Sequence, residues 1–206
     1  MSGPVAIVDY GMGNIRSVIN ALREIGSDGE LISDPRQIAQ RSKLILPGVG
    51  AFGEAMRNLR KSGLDRALDE AHGAGATILG ICLGMQLMFS DSEEDGSHQG
   101  LNWIHGSVKR FPDASGLRVP HMGWNELRFA RGSALTAGVG EAPDVYFLHS
   151  FHCVCADQAD VLATSDYGLP FTAMIARESE KLYGIQFHPE KSQQAGLAML
   201  RNFASL

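Results

Sequence analysis

The chain has 206 residues, 44% hydrophobic and 20% charged, and 18 Lys and Arg against 23 Asp and Glu give a formal net charge of -5. That length supports one sizeable core, so a single domain over residues 1–206 is expected, and the composition excludes a disordered or fibrous chain. Scattered basic residues exclude the electrostatic footprint of a nucleic-acid binder. Three cysteines make no disulfide framework and leave an odd thiol, which points to the cytoplasm. No basic segment precedes an apolar one at the N-terminus, and the longest nearly apolar stretch, residues 76–89, is short for a bilayer and contains Gln86. Neither export nor a membrane partner is expected.

"PVAIVDYG" from residue 4 predicts a buried strand, and Ile15, Val18, Ile19, Leu22 and Ile25 then follow at helical spacing up to Gly26. Strands are predicted at "GELI" (29–32), "KLILPG" (43–48) and "ATILGI" (76–81), with helical stretches within 53–72. This βαβα order predicts a parallel sheet with helices on both faces. "SDSEEDGSHQG" (90–100) reads as a polar acidic loop. The second half is strand-rich, with candidates at 106–111, 144–150, 152–156, 161–165, 171–176 and 181–187 and a polar turn at "RESE". A last helix starts near Ser192 as N-cap and turns Leu197, Leu200 and Phe203 inward. No repeat, low-complexity tract or long linker interrupts the chain.

Ligands gather at the carboxyl ends of parallel strands, and three glycine-rich turns fall there. "GMGNIR" lacks the third glycine of a dinucleotide fingerprint, so a tight turn explains it and no cofactor is expected. "GICLGMQ" (80–86) is the cysteine form of a nucleophile elbow, in which a strained strand-to-helix turn projects the side chain and the helix start stabilises a thiolate. Cys82 alone is equally a buried hydrophobe. "QFHPE" supplies a base and an orienting group: His188 and Glu190 are two residues apart across a proline that favours extension, so Glu190 can hold one ring nitrogen while the other faces Cys82. Together with the elbow, this pair favours the nucleophile. "PGVG" (47–50) at the neighbouring strand end suits an oxyanion site, with the Leu83 N–H as second donor. "HSFHCVC" (149–155) has no zinc spacing and no second cysteine pair, so it reads as a half-buried strand and no metal is expected. His72, His98 and His105 lack evident partners and read as surface residues.

With Cys82, His188 and Glu190 in place, the chain resembles the class I, triad-type glutamine amidotransferases over nearly its whole length. "PGVGAF", "HMGWN", "YFLHSF" and "DYGMGN" are most similar to the glutaminase subunits of imidazole glycerol phosphate synthase. The resemblance implies a flavodoxin-like α/β fold with extra antiparallel strands in the second half. It also implies a heterodimer with a (β/α)8-barrel cyclase that receives ammonia to make imidazole glycerol phosphate and AICAR in histidine biosynthesis. It implies that Gln86 and the Gly48–Val49–Gly50 loop hold the glutamine amide and oxyanion, and that Glu94 and Ser150 contact its amino-acid end. Asn14, Met122, Trp124, Tyr146 and Lys191 match cyclase-facing positions. Phe151 stands where tyrosine is frequent, and Asn102-Trp103 where a glycine-containing pair is common. Two other readings compete: a paralogous subunit feeding ammonia to a sugar-modifying partner, and a non-catalytic binding subunit.

Overall fold

The computed structural model describes residues 4–112 and 117–206, so the first three residues of the N-terminal reading lie outside it. The first half alternates as expected: β1 (Val5–Val8), α1 (Ile15–Glu24), β2 (Gly29–Ile32), α2 (Pro35–Ile38), β3 (Lys43–Gly48), α3 (Phe52–Ser62), α4 (Leu64–Gly73) and β4 (Thr77–Cys82). The helical stretch expected within 53–72 is divided at Gly63. β4 runs directly into α5 (Leu83–Leu87).

Then follow β5 (Phe89–Ser92), β6 (His98–Gln99), β7 (Ile104–Arg110), β8 (His121–Glu126), β9 (Arg128–Phe129), β10 (Asp144–His149), β11 (Phe151–Cys155), β12 (Val161–Asp166), β13 (Pro170–Arg177), β14 (Leu182–Ile185) and α6 (Gln193–Ser205). The acidic stretch 90–100 is no plain loop: Asp91 pairs with Gln99 and Ser92 with His98 in a β5–β6 hairpin. It lies at the sheet edge, where little besides Phe89 and Ser92 is buried, so its composition mimics a loop while its backbone pairs. β8 also escaped the sequence reading. Its exposed Met122 and Trp124 interrupt the apolar signal, and pairing with β10 makes it a strand.

The main sheet runs β2-β1-β3-β4-β14-β13-β11-β7-β5-β6, with β12 paired to β13 and β9 in turn paired to β12, and β8 and β10 form a separate ribbon. β2, β1, β3, β4 and β14 are parallel, whereas β13 and β11 are antiparallel to their neighbours. Every residue of β1, β3, β4 and β14 is buried, as strands covered on both faces require. Phe52, Met56, Leu59 and Leu68 fill one face, and Val18, Leu22, Leu200 and Phe203 the other. Each such side chain contributes about 1.5–3 kcal/mol by leaving water. No helix among the described residues is long and apolar enough to cross a membrane.

His72 is not an unpartnered surface residue. Its ring lies 5.1 Å from that of Trp103, and its Nε2 is 3.6 Å from Glu180. His98 packs over Gly53, and His105 is exposed as expected. Trp103, at the divergent pair, is buried and donates from Nε1 to Asp69 at 2.6 Å, which gives the substitution a structural role away from the site.

Candidate active site

Cys82 ends β4 with φ 55° and ψ -112°, backbone that a side-chain-bearing residue adopts at a cost of about 1–3 kcal/mol. The surroundings enforce it. α5 lies so close to β3 that a Cβ on Gly84 would collide with the Leu46 carbonyl oxygen, so only glycine lets the helix start there. Cys82 is 6% exposed, with Sγ 3.9 Å from the Leu148 carbonyl and 3.8 Å from the Gln186 side-chain amide.

Ile185 of β14 pairs with Ile81 of β4, so the chain leaving β14 passes the elbow. That delivers His188 across 106 residues of sequence. Cys82 and His188 line the same cavity, and the His188 Nδ1 lies 2.9 Å from Glu190 Oε1. Burial alone pulls this imidazole toward its neutral form, but the nearby Cys82 and the hydrogen-bonded Glu190, with their negative charge, outweigh it and raise its pKa to about 10. The fold therefore brings Cys82 and the sequence-distant His188 and Glu190 to one place.

The backbone around His188 is stapled to β10. Its N–H donates to the Tyr146 carbonyl at 2.9 Å, its carbonyl accepts from Ser192 Oγ at 2.6 Å, and Ser192 Oγ accepts the Tyr146 N–H at 3.0 Å. Ser192 stands at the N-cap of α6 but makes no side-chain cap bond. Its hydroxyl has more to gain in that buried staple than at a helix end that other groups can solvate.

Cys82 and His188 open on a cavity of about 270 Å³ whose walls include Val49, Gly50, Leu83, Gln86, Glu94 and Ser150. Gly48, paired with Cys82 across β3 and β4, does not line it; Tyr10 and Leu83 occupy the space around its Cα. Gln86 is committed to the protein, since its Nε2 donates to the Phe151 carbonyl and to Gln186 Oε1, each at 3.1 Å. Glu94 accepts the Phe52 N–H at 2.6 Å; burial raises its carboxyl and that bond partly offsets the rise.

His149 also lines the cavity and was passed over in the sequence, where "HSFHCVC" read only as a strand. It is indeed on a strand, and no sequence signal places that strand's end beside Cys82. Its Nδ1–H donates to the Phe151 carbonyl at 2.7 Å, and burial holds its pKa down to about 3. Gln186, fully buried under the thiol, was likewise read only as part of a strand. Among the described residues no group of three or more His, Cys, Asp or Glu is arranged to hold a metal.

Four of the five residues matched to a partner interface gather beside this staple. Met122 is 62% and Trp124 48% exposed on β8. The Trp124 ring meets Tyr146 edge-on at 5.9 Å, and Lys191 Nζ lies 5.7 Å from the Tyr146 ring centre. Asn14 lies at the start of α1, a helix that packs against the 189–191 turn carrying Lys191, and its Oδ1 accepts from Ser17 Oγ at 2.9 Å.

A buried Cys-His-carboxylate relay at the carboxyl ends of adjacent parallel strands defines a thiol-dependent acyl-transfer enzyme of the amidotransferase type. The family described as Glutamine amidotransferase class-I matches residues 6–205. A solved structure described as a glutamine amidotransferase superposes with a TM-score of 0.75 at 18% identity, covering 98% of this chain and 100% of that one, and so shares the fold. Imidazole glycerol phosphate synthase subunit HisH of Moorella thermoacetica is 49% identical over 203 residues, 98% of this chain and 95% of that protein. The protein of the same name from Sulfurimonas denitrificans is 46% identical over 202 residues, 97% of this chain and 96% of its own length. The chain belongs to the class I glutamine amidotransferases and, within them, to the HisH family.

Proposed function

We propose that this chain is the glutaminase subunit of imidazole glycerol phosphate synthase, acting as one domain in histidine biosynthesis. The observation that carries the chemistry is the Cys82–His188–Glu190 relay at the mouth of a cavity of about 270 Å³, small beside drug-sized sites and suited to one amino acid. The Cys82 thiolate attacks the side-chain amide carbon of glutamine. Negative charge develops on the amide oxygen, and the N–H groups of the cavity-lining Val49, Gly50 and Leu83 receive it. His188, protonated and oriented by Glu190, gives its proton to the departing nitrogen, so ammonia leaves and a glutamyl thioester remains. His188 then takes a proton from water, which attacks the thioester and releases glutamate and the thiolate.

Glu94 and Ser150 stand on the cavity wall where they can hold the amino-acid end of glutamine. Glu94 then has two duties, since it already bonds Phe52. The face formed by Met122, Trp124, Tyr146 and Lys191 is the docking surface for a (β/α)8-barrel cyclase in a heterodimer. An exposed tryptophan and methionine beside a tyrosine are residue types that interfaces favour. Ammonia passes to that barrel and reacts there with the phosphoribulosyl-formimino-AICAR ribotide, giving imidazole glycerol phosphate and AICAR. Tyr146 joins the two functions, because its backbone holds His188 while its ring lies on the docking face.

The test is ammonia release from glutamine by the chain alone, with the cyclase, and with cyclase and ribotide. A marked rise on adding the partner and ribotide is expected. Strong release by the isolated chain, unchanged by both additions, would overturn the proposal.

A further inference from the structure

The turn after β3 is tied at both ends by side chains from distant parts of the chain. Before it, Tyr10 Oη donates to the Pro47 carbonyl at 2.8 Å. The same hydroxyl fills the space beside Gly48, where an added Cβ would collide with it and lie 2.9 Å from Leu83 Cβ. Beyond the turn, Glu94 Oε2 holds the Phe52 N–H at 2.6 Å where α3 begins. Between these ties Val49 is 40% exposed and Gly50 has φ 101°.

Tyr10 is 6% exposed and does not line the cavity. It belongs to "DYGMGN", whose glycines need nothing more than a turn after β1. Burial first and the nearby Cys82 charge second push its hydroxyl pKa up, so it remains a protonated donor across the working pH range.

We infer that Tyr10 is a positioning residue for the oxyanion turn: its hydroxyl fixes the Pro47–Gly48 peptide, and Glu94 fixes the far end. Val49 and Gly50, the cavity-lining part of the turn, are then left to aim N–H groups at the cavity beside that of Leu83. Charge stabilisation depends on donors held in place before the charge develops, so a loosened tie weakens the transition state more than substrate binding. This inference rests on the glutaminase proposal.

Tyr10→Phe removes the hydroxyl and keeps the ring. In the complex with cyclase and ribotide, kcat for glutamine is expected to fall five- to tenfold with KM unchanged, about 1–1.4 kcal/mol, the size of one hydrogen bond. Alkylation of Cys82 by iodoacetamide, which forms no oxyanion, should keep its rate. An unchanged kcat, or an alkylation rate that falls as far as kcat does, overturns the inference. If the wild-type complex turns over no glutamine, the glutaminase proposal fails instead. A second pair tests the other tie independently: Glu94→Gln keeps an acceptor for the Phe52 N–H and Glu94→Ala does not. At saturating glutamine the Ala variant should show a kcat about fivefold below the Gln variant, the loss of one hydrogen bond; equal values would overturn the role of Glu94 in holding the turn.

Discussion

The nucleophile elbow and the oxyanion turn end neighbouring strands, with Gly48 paired to Cys82, yet they are built in opposite ways. The elbow is held by packing: Leu83, Gly84 and Met85 are buried, and α5 presses against the Leu46 backbone. The turn is held by two hydrogen bonds at its ends and exposes Val49 between them. Packed cores transmit strain and do not deform by degrees, whereas a turn tied at its ends has freedom in its middle. Cys82 is therefore preset, and the turn across from it is adjustable.

The comparison is broken most forcefully at the thiol. Cys82→Ala should lower glutamine-dependent synthesis by about 10⁴-fold or more, while synthesis driven by added ammonia at raised pH persists. If ammonia-driven synthesis also vanished, the elbow would serve more than glutamine hydrolysis. Next come the two glycines. Gly84→Ala drives a methyl into the Leu46 backbone, and overpacking of this kind costs about 1–3 kcal/mol or more, a fall in melting midpoint of about 2–4 °C per kcal/mol. Gly50→Ala meets only the flexible end of Met12, at 2.8 Å, but strains a φ of 101°. It should cost about tenfold or more in kcat and change the melting midpoint less than Gly84→Ala does. The reverse order of melting points would refute the contrast between a packed elbow and a tied turn.

The smallest expected effect is at the opposite wall. Burial lowers the His121 and His149 pKa values to about 4 and about 3 from the ordinary 6.5. The unfolded chain takes up these protons near pH 6.5 and the folded protein resists until pH 4 to 3, so their contribution to stability is complete above pH 6.5 and is lost as pH falls below it. Melting midpoints measured from pH 7.5 to pH 4.5 should fall by several degrees. His121→Phe, which keeps the stack with Phe147 and Tyr167, should lose less on acidification. An identical decline in both proteins would remove His121 from the account.

Much of this was legible in the chain. The parallel strands were readable because burial on both faces demands unbroken apolar runs, as in "KLILPG" and "ATILGI". The β5–β6 hairpin and β8 were not, since an edge strand and an exposed ribbon keep polar side chains or leave large apolar ones in solvent. At the site, Cys82, His188 and Glu190 carry a local signature because chemistry restricts their residue types. His149, Gln186 and Tyr10 carry none; each is an ordinary residue made relevant by what lies across from it.

Composition, periodicity and the short motifs determined the layered fold, the glutamine amidotransferase class and the candidate residues for its chemistry, since these depend on residue type and spacing along the chain. Tertiary structure alone decided that Gly48 stands behind the cavity wall, that Glu94 ties α3, and that Ser192 staples His188 to Tyr146. Such facts depend on which strand lies beside which, and hydrogen bonds between residues 37, 42 and 46 positions apart leave no periodic trace in the sequence.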